Sequence, residues 1–329
     1  MKIFCKSFPP HLGGDGILVE NYLKHGERNA HVYTVGSGES PDNVTFLSPE
    51  YDSTYRKKAR EIASDDEMLW VHSTRLGIDL NKKMTKNDFL TVHGLFGLIP
   101  RKTDIWWKHY RNKIAEYIYF KFLCNSQVTV VSPYSKEKLS KYINPHHIPN
   151  GVNFTGFKDT EKEKKAVFLG RHHPQKDLKL VTKIAKYLTQ QGYQVHIGGK
   201  PNKYSLNQKW NKIDKLTHGY LTEEEKQKWL EESKYLIQPS KWEGLPITLM
   251  ESLKHKCIPI IRNYSNINKT DLSKYFIFVN QKNYKNKLQK TEYTEHDFKK
   301  LKKLLNGKYN WKNIIKQYDK LFTVKENEI

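Results

Sequence analysis

The run PSKWEGLPITLMESL, residues 239–253, places two acids, Glu243 and Glu251, eight positions apart. Gly244 and Pro246 put Glu243 in a turn, and Glu251 falls on the second turn of the helix that follows. Carboxylates so spaced can grip different parts of an elongated ligand. Between them, the N–H groups of Ile247 and Thr248 open the helix, where a phosphate is favoured. The run FLGRHHPQKD, residues 168–177, carries Arg171 and Lys176. These suit a diphosphate at the next helix start, although a lysine-rich composition alone also supplies such pairs. PPHLGGDG, residues 9–16, offers Gly13 and Gly14 in a loop that either approaches an oxygen-rich ligand or simply turns tightly. His93, followed by Gly94, is either a ligand-binding or a structural histidine.

The elements that must hold these residues alternate between short β-rich runs and amphipathic helices, the pattern of a parallel, doubly wound sheet. Strands are predicted at Lys2–Cys5, His31–Val35, Met68–His72, Phe89–His93 and Gln127–Ser132, with helices at Gly16–His25, Ser53–Ser64 and Asp104–Leu123. The polar stretch Phe157–Lys165 (FKDTEKEKK) reads as a linker. Beyond it the pattern restarts, with strands at Ala166–Gly170, Gln194–Gly198, Tyr235–Gln238, Ile258–Ile261 and Phe276–Val279. Helices fit Leu178–Gln190, Thr222–Ser233 and Ile247–Lys254, the second opening on a capping-box pattern from Thr222 to Glu225. This is an α/β chain of two Rossmann-like domains facing a central cleft. Every candidate residue follows a predicted strand, where such sheets bind ligands.

The 329 residues exceed one ordinary core, and 37% hydrophobic content excludes wholesale disorder. No apolar run approaches the roughly 18–20 residues of a membrane span. The start MKIFCKS is charged too soon for a signal peptide. Cys5, Cys124 and Cys257 are too few and too scattered for a disulfide framework or a cysteine zinc site. A cytoplasmic protein is expected. The formal net charge is +22, carried by 49 Lys and 8 Arg against 35 acids. Residues 1–157 contribute +5 and residues 158–329 +17. Such a balance attracts nucleic acid, anionic lipid or a phosphorylated substrate, but the lysine bias also fits an AT-rich genome, and base-reading proteins lean on Arg. Residues 104–123 (DIWWKHYRNKIAEYIYFKFL) mix aromatic and basic residues. That mixture suits either an anionic membrane surface, making the protein peripheral on the inner face, or an interdomain helix with one wet face.

The run from Pro239 to Leu253 resembles the E-x7-E signature of retaining glycosyltransferases of family 4, which have the GT-B fold. PPHLGG resembles that family's N-terminal glycine loop, and VSPYSKEKL and IPNGV (148–152) the end of its first domain. FLGRHHPQK is similar to its diphosphate loop, HGYLTEEEKQKWLEESKYLIQPS to the stretch before its first glutamate, and YNWKNIIKQYDKLF (309–322) to its terminal helix. The resemblance implies an acceptor domain over 1–157, a nucleotide-sugar domain over 158–308, and a helix over 309–329 crossing back to the first domain.

It also implies roles. Arg171 and Lys176 neutralise the donor's departing diphosphate, Glu251 accepts from the ribose hydroxyls, and Glu243 contacts the transferred sugar. The Ile247 and Thr248 amides bind phosphate, Gly13 and Gly14 border diphosphate and acceptor, and His93 bonds the donor sugar. Gly219 and Tyr220 frame the base. Side-chain cations and a helix dipole supply the positive charge that the leaving group needs, so no cofactor and no metal is expected. Asp177 stands where the family commonly has Gly or Asn, Lys256 stands where it has Gly, and the stretch after Ile261 lacks its glycines.

The implied partners are a nucleotide sugar and a glycan, lipid-linked or other hydroxyl acceptor. A DNA acceptor is a second reading, motivated by the charge. A non-catalytic nucleic-acid-binding protein on a GT-B scaffold is a third, and a sugar-nucleotide epimerase a fourth.

Overall fold

A computed structural model describes residues 1–8, 14–63, 67–95, 106–158, 160–199, 217–219 and 221–323. The chain divides into two compact units, Met1–Gly151 with Trp311–Ile329, and Val152–Asn310. The first unit runs β1 (Lys2–Phe4), α1 (Gly14–His25), β2 (His31–Val35), β3 (Val44–Ser48), α2 (Ser53–Ile62), β4 (Leu69–His72) and α3 (Thr74–Leu80). It continues through β5 (Phe89–Val92), α4 (Trp106–Ile118), β6 (Gln127–Val130), α5 (Pro133–Leu139) and β7 (His146–His147). Its seven strands pair in parallel in the order β3-β2-β1-β4-β5-β6-β7. β4 and β5 are buried along their whole length, as strands covered on both faces must be. Local signals start the helices. Asp52 accepts from the Tyr55 N–H at 2.8 Å before α2, and Ser132 accepts from the Ser135 N–H at 3.2 Å, with Pro133 opening α5.

The second unit comprises β8 (Glu163–Leu169), α6 (Leu178–Gln190), β9 (Gln194–Gly198), β10 (Thr217–His218), α7 (Glu223–Glu232), β11 (Ser233–Gln238) and α8 (Ile247–Lys254). Then come β12 (Ile258–Arg262), α9 (Ser265–Asn268), β13 (Ile277–Val279), α10 (Tyr284–Lys290) and α11 (Glu295–Gly307). Its parallel sheet has the order β10-β9-β8-β11-β12-β13, so the chain changes direction across the sheet between β8 and β11. The loops after those two strands hold Arg171, Lys176 and Glu243. That is the topological switch point, where open parallel sheets leave a crevice for ligands. Ala166, Phe168, Ile184, Ile197, Ile237 and Ile260 are among the residues of its core.

The last helix, α12 (Trp311–Thr323), packs within the first unit. Tyr318 and Phe322 lie 4.9 and 5.1 Å, centroid to centroid, from Trp70 on β4. Buried Asp319 accepts from Tyr22 Oη at 2.9 Å, tying α12 to α1.

Four features differ from the sequence expectation. Phe157–Lys165 is not a free linker: β8 begins at Glu163, and Lys158, Thr160 and Lys165 bond Glu231 and Glu232 at the end of α7. Its Lys and Glu residues read as solvated because their partners lie about 70 positions on. Residues 152–157 group with the second unit, where Val152 N bonds Tyr309 O at 2.7 Å and Asn310 Nδ2 bonds Phe154 O at 3.0 Å. In the 104–123 helix, α4 gives way to a π-helical turn over Tyr119–Leu123; residues 104 and 105 lie outside the described residues. Short β3, α3, α5, β7, β10, α9 and α10 had no periodic signal long enough to read, and the 13-residue α11 was not expected either.

Gly199 governs the carboxyl edge of the second sheet. Its φ is +127°, and a Cβ there would sit 2.1 Å from the Gly170 carbonyl oxygen. Gly199→Ala is expected to lower stability by about 2 kcal/mol or more, read as a reduced urea midpoint. An unchanged midpoint would contradict this packing.

Candidate functional site

Strand-end hydrogen bonds fix the loops of the second unit. Gly170 N donates to Gly198 O at 3.1 Å, and Gly199 N donates to Gly219 O at 3.0 Å. The bare backbone at Gly170 lets the Lys176 side chain lie over it, with Cε 3.2 Å from where a Cβ would stand. Lys176 Nζ thereby reaches Glu243 Oε1 at 2.7 Å, with both side chains largely buried. The two loops are stitched together again by Lys241 N to Gln175 O at 2.8 Å and Gln175 Nε2 to Trp242 O at 3.0 Å. Arg171 lies exposed in the first of these loops. One cation and one acid from loops 67 residues apart therefore form a fixed unit at the switch point.

Glu251, buried on α8, accepts from Lys226 Nζ at 2.8 Å, and Lys226 also bonds Glu223 at 2.7 Å. Burial would depress the Lys226 ammonium, but Glu251 and Glu223 outweigh it and hold its pKa above the ordinary lysine value. Lys226 therefore stays charged where it meets Glu251. The capping box at Thr222 fixes the start of α7 and hence this lysine. Ile247 and Thr248 form the first turn of α8 behind Pro246, which supplies no side-chain acceptor of its own. Sequence reading missed Lys226, one more lysine in a run of charges; its partner is 25 positions away.

Two departures from the glycine pattern have a common backbone cause. Asp177 has φ +48° and Lys256 φ +56°, the left-handed region that Gly and Asn enter most readily. Asp177 compensates through an ion pair with Arg262 at the end of β12. Arg262 opens the stretch that lacks glycine, so that departure and Asp177 meet in space.

In the first unit, His93 follows β5 and is partly exposed, while His72, which sequence reading passed over, ends β4 and is fully buried. Their rings stack at 5.4 Å, with His72 Nδ1 3.1 Å from His93 Nε2. His72 Nε2 is buried without a partner among the described residues. An orphaned buried N–H is rarer than an orphaned acceptor, so the His72 proton belongs on Nδ1, donated to His93. His93 then carries its own proton on Nδ1. Burial and then His93 hold His72 well below the ordinary histidine pKa; burial also lowers His93, against the pull of Asp15.

Asp15 accepts from Ser7 Oγ and, at 3.2 Å, from Lys6 N, which anchors the glycine loop. Gly14 is exposed at the start of α1. The close approach is made instead by Gly16, where a Cβ would meet Ser7 O at 2.5 Å. Gly13 and Tyr220 lie outside the described residues. At the β1–β4 switch of this sheet, Ser73 holds φ +93°, a strained value for a non-glycine residue. Ser73 Oγ and Thr74 Oγ1 are buried and unpartnered among the described residues. A cavity of about 210 Å³ there is lined by Lys6, Thr74, Arg75, Ile78, Asn112 and Glu116, among others. Burial lowers Lys6 to about 8, with Asp15 opposing.

Residues 153–311 match the family described as Glycosyl transferases group 1, a span that covers nearly all of the second unit. No curated protein sequence matches this chain. Among solved structures, a sucrose-phosphate synthase from Thermosynechococcus elongatus superposes with TM-score 0.76 at 13% identity, over 100% of both chains. Anabaena Alr3699/HepE, solved with UDP and glucose, gives 0.74 at 10% identity over 98% of this chain and 100% of that one. TarM, a protein of S. aureus, gives 0.60 at 17% identity over 82% of this chain. The chain spans 58% of TarM's length. The two parallel α/β units have the GT-B fold.

The histidine pair has a measurable consequence. The unfolded chain takes up protons below about pH 6.5, while folded His72 and His93, with depressed pKa values, do not. Stability is thus full above that pH and falls as pH drops towards the folded values. Urea midpoints are expected to decline from pH 7.5 to pH 5, and His72→Asn to flatten that decline. An equal slope in the variant would contradict the depressed pKa of His72.

Proposed function

We propose that this protein is a retaining, metal-independent glycosyltransferase. It moves a sugar from a nucleotide-diphosphate sugar to a hydroxyl of a glycan or lipid-linked acceptor. The observation that carries the reading is the paired geometry at the second switch point: Lys176 with Glu243, Lys226 with Glu251, and Arg171 in the adjoining loop. The family match over 153–311 and the GT-B fold support nucleotide-sugar glycosyl transfer.

As the bond from the sugar to the diphosphate breaks, negative charge builds on the phosphate oxygens. Arg171 and Lys176 meet it, with the amide groups at the start of α8 adding the helix dipole. Glu243 fixes Lys176 and contacts the transferred sugar. Glu251, positioned by Lys226, accepts from the ribose diol. Retention follows from attack on the face that the diphosphate leaves, the departing phosphate oxygen taking the acceptor's proton. Glu243 and Glu251 therefore do not act as a hydrolase's acid and nucleophile. On the first unit, His93 offers Nδ1–H to the donor sugar. The acceptor's hydroxyls meet Thr74 and Asn112 in the cavity beside Lys6 and Arg75.

The test is a nucleotide and nucleotide-sugar binding panel, followed by turnover with product NMR. Glu251→Gln is expected to weaken nucleotide binding at least about tenfold. Lys176→Ala is expected to cut kcat about 10²–10³-fold with a smaller change in binding. Activity should survive EDTA. Unchanged affinity in Glu251→Gln, or an inverted anomeric product, would overturn the proposal.

A further inference from the structure

All seven large hydrophobic side chains that stand exposed among the described residues lie on α4 and its π-helical turn or, for Tyr142, against Tyr117: Tyr110, Ile114, Tyr117, Ile118, Phe122, Leu123 and Tyr142. Tyr110, Ile114, Tyr117, Ile118 and Phe122 recur at helical spacing along α4 and its π-helical turn. The opposite side of the same segment is already buried, through Glu116, Tyr119 and Phe120. An ordinary surface helix turns one apolar stripe inward and a polar face outward. This one is apolar on both faces, with Tyr110 60% and Phe122 65% exposed. The patch is continuous with a groove of about 210 Å³ lined chiefly by Leu95, Tyr110, Ile114, Tyr117, Phe120 and Tyr142.

Cations are set into the apolar stripe. Lys121 Nζ lies 5.2 Å from the Tyr117 ring centroid and 5.1 Å from that of Phe122, and donates to Tyr117 Oη at 2.8 Å. Residues 110–142 carry Arg111, Lys113, Lys121, Lys136, Lys138 and Lys141 against two acids, Glu116 and Glu137. Aromatic and aliphatic tips with lysines snorkelling between them are the composition of a segment lying in a lipid headgroup layer. The charge selects among occupants. A second copy of this face would bring the same excess of cations against itself, whereas an anionic bilayer offers negative headgroups above an apolar interior. No described helix is long and apolar enough to cross a membrane, so contact would be in the plane of the surface.

We infer that the outer face of α4 and the turn over Tyr119–Leu123 docks the protein on an anionic lipid bilayer, with Phe122, Ile118 and Tyr110 entering the headgroup layer. The inference is independent of the glycosyl-transfer reading, because the docking is measured without turnover.

The experiment is flotation of the full chain with vesicles of phosphatidylcholine alone or mixed with phosphatidylglycerol, at about 0.1 M and 0.5 M salt. Binding is expected only with phosphatidylglycerol, and weaker at the higher salt. Phe122→Ser is expected to reduce partitioning roughly tenfold, and Tyr110→Ser, as a second exposed site, to reduce it in the same direction. Circular dichroism and thermal midpoint should be unchanged in both. Absence of binding at 0.1 M salt would overturn the inference. So would binding insensitive to both variants, which would assign it to lysines elsewhere. A concentration-dependent dimer abolished by Phe122→Ser would give the patch to a second copy and also overturn it.

Discussion

At the carboxyl edge of the second sheet, two segments meet closer than any side chain allows. Gly199 rests on the carbonyl of Gly170, and the two strand-end bonds to Gly198 and Gly219 hold that contact. The candidate site descends from this constraint. With no Cβ at 170, Lys176 lies across the backbone and reaches Glu243, and Gly199 N bonds Gly219 O at the end of β10. Parallel pairing points every strand's carboxyl end to one side, so these loops share an edge.

Charge placement is economical against that frame. Lys176 and Lys226 are each fixed by a glutamate, which spares them the conformational entropy of long, free side chains. Asp177 and Arg262 repeat the device beside the same loop. In the first unit the corresponding edge carries a stacked histidine pair and buried hydroxyls beside Lys6 and Arg75.

Much of the second unit was legible because its strands and helices are patterned apolar runs bounded by glycine and charge. Leu178–Gln190, Gln194–Gly198 and Ile247–Lys254 have the ends expected of them. Short elements were not legible. α5 is seven residues long and depends on Ser132 and Pro133 rather than on periodicity. The stretch Phe157–Lys165 misled because a paired lysine and a solvated lysine look alike in a sequence.

By itself, the sequence determined the alternation of strand and helix, the turn before Glu243 and the helical position of Glu251, because local spacing alone sets these. The family resemblance also marked Asp177 and Lys256 as departures at glycine positions, though not why: the left-handed backbone there became visible only in the fold. Tertiary structure alone decided the partners. Lys226 with Glu251, His72 with His93, and Lys176 with Glu243 join residues 21 to 67 positions apart. Such pairs are set by strand order and register, which no local pattern encodes. The outward apolar face of α4 belongs with them. A helix's composition states how much apolar surface it has, and only packing decides which side of it remains uncovered.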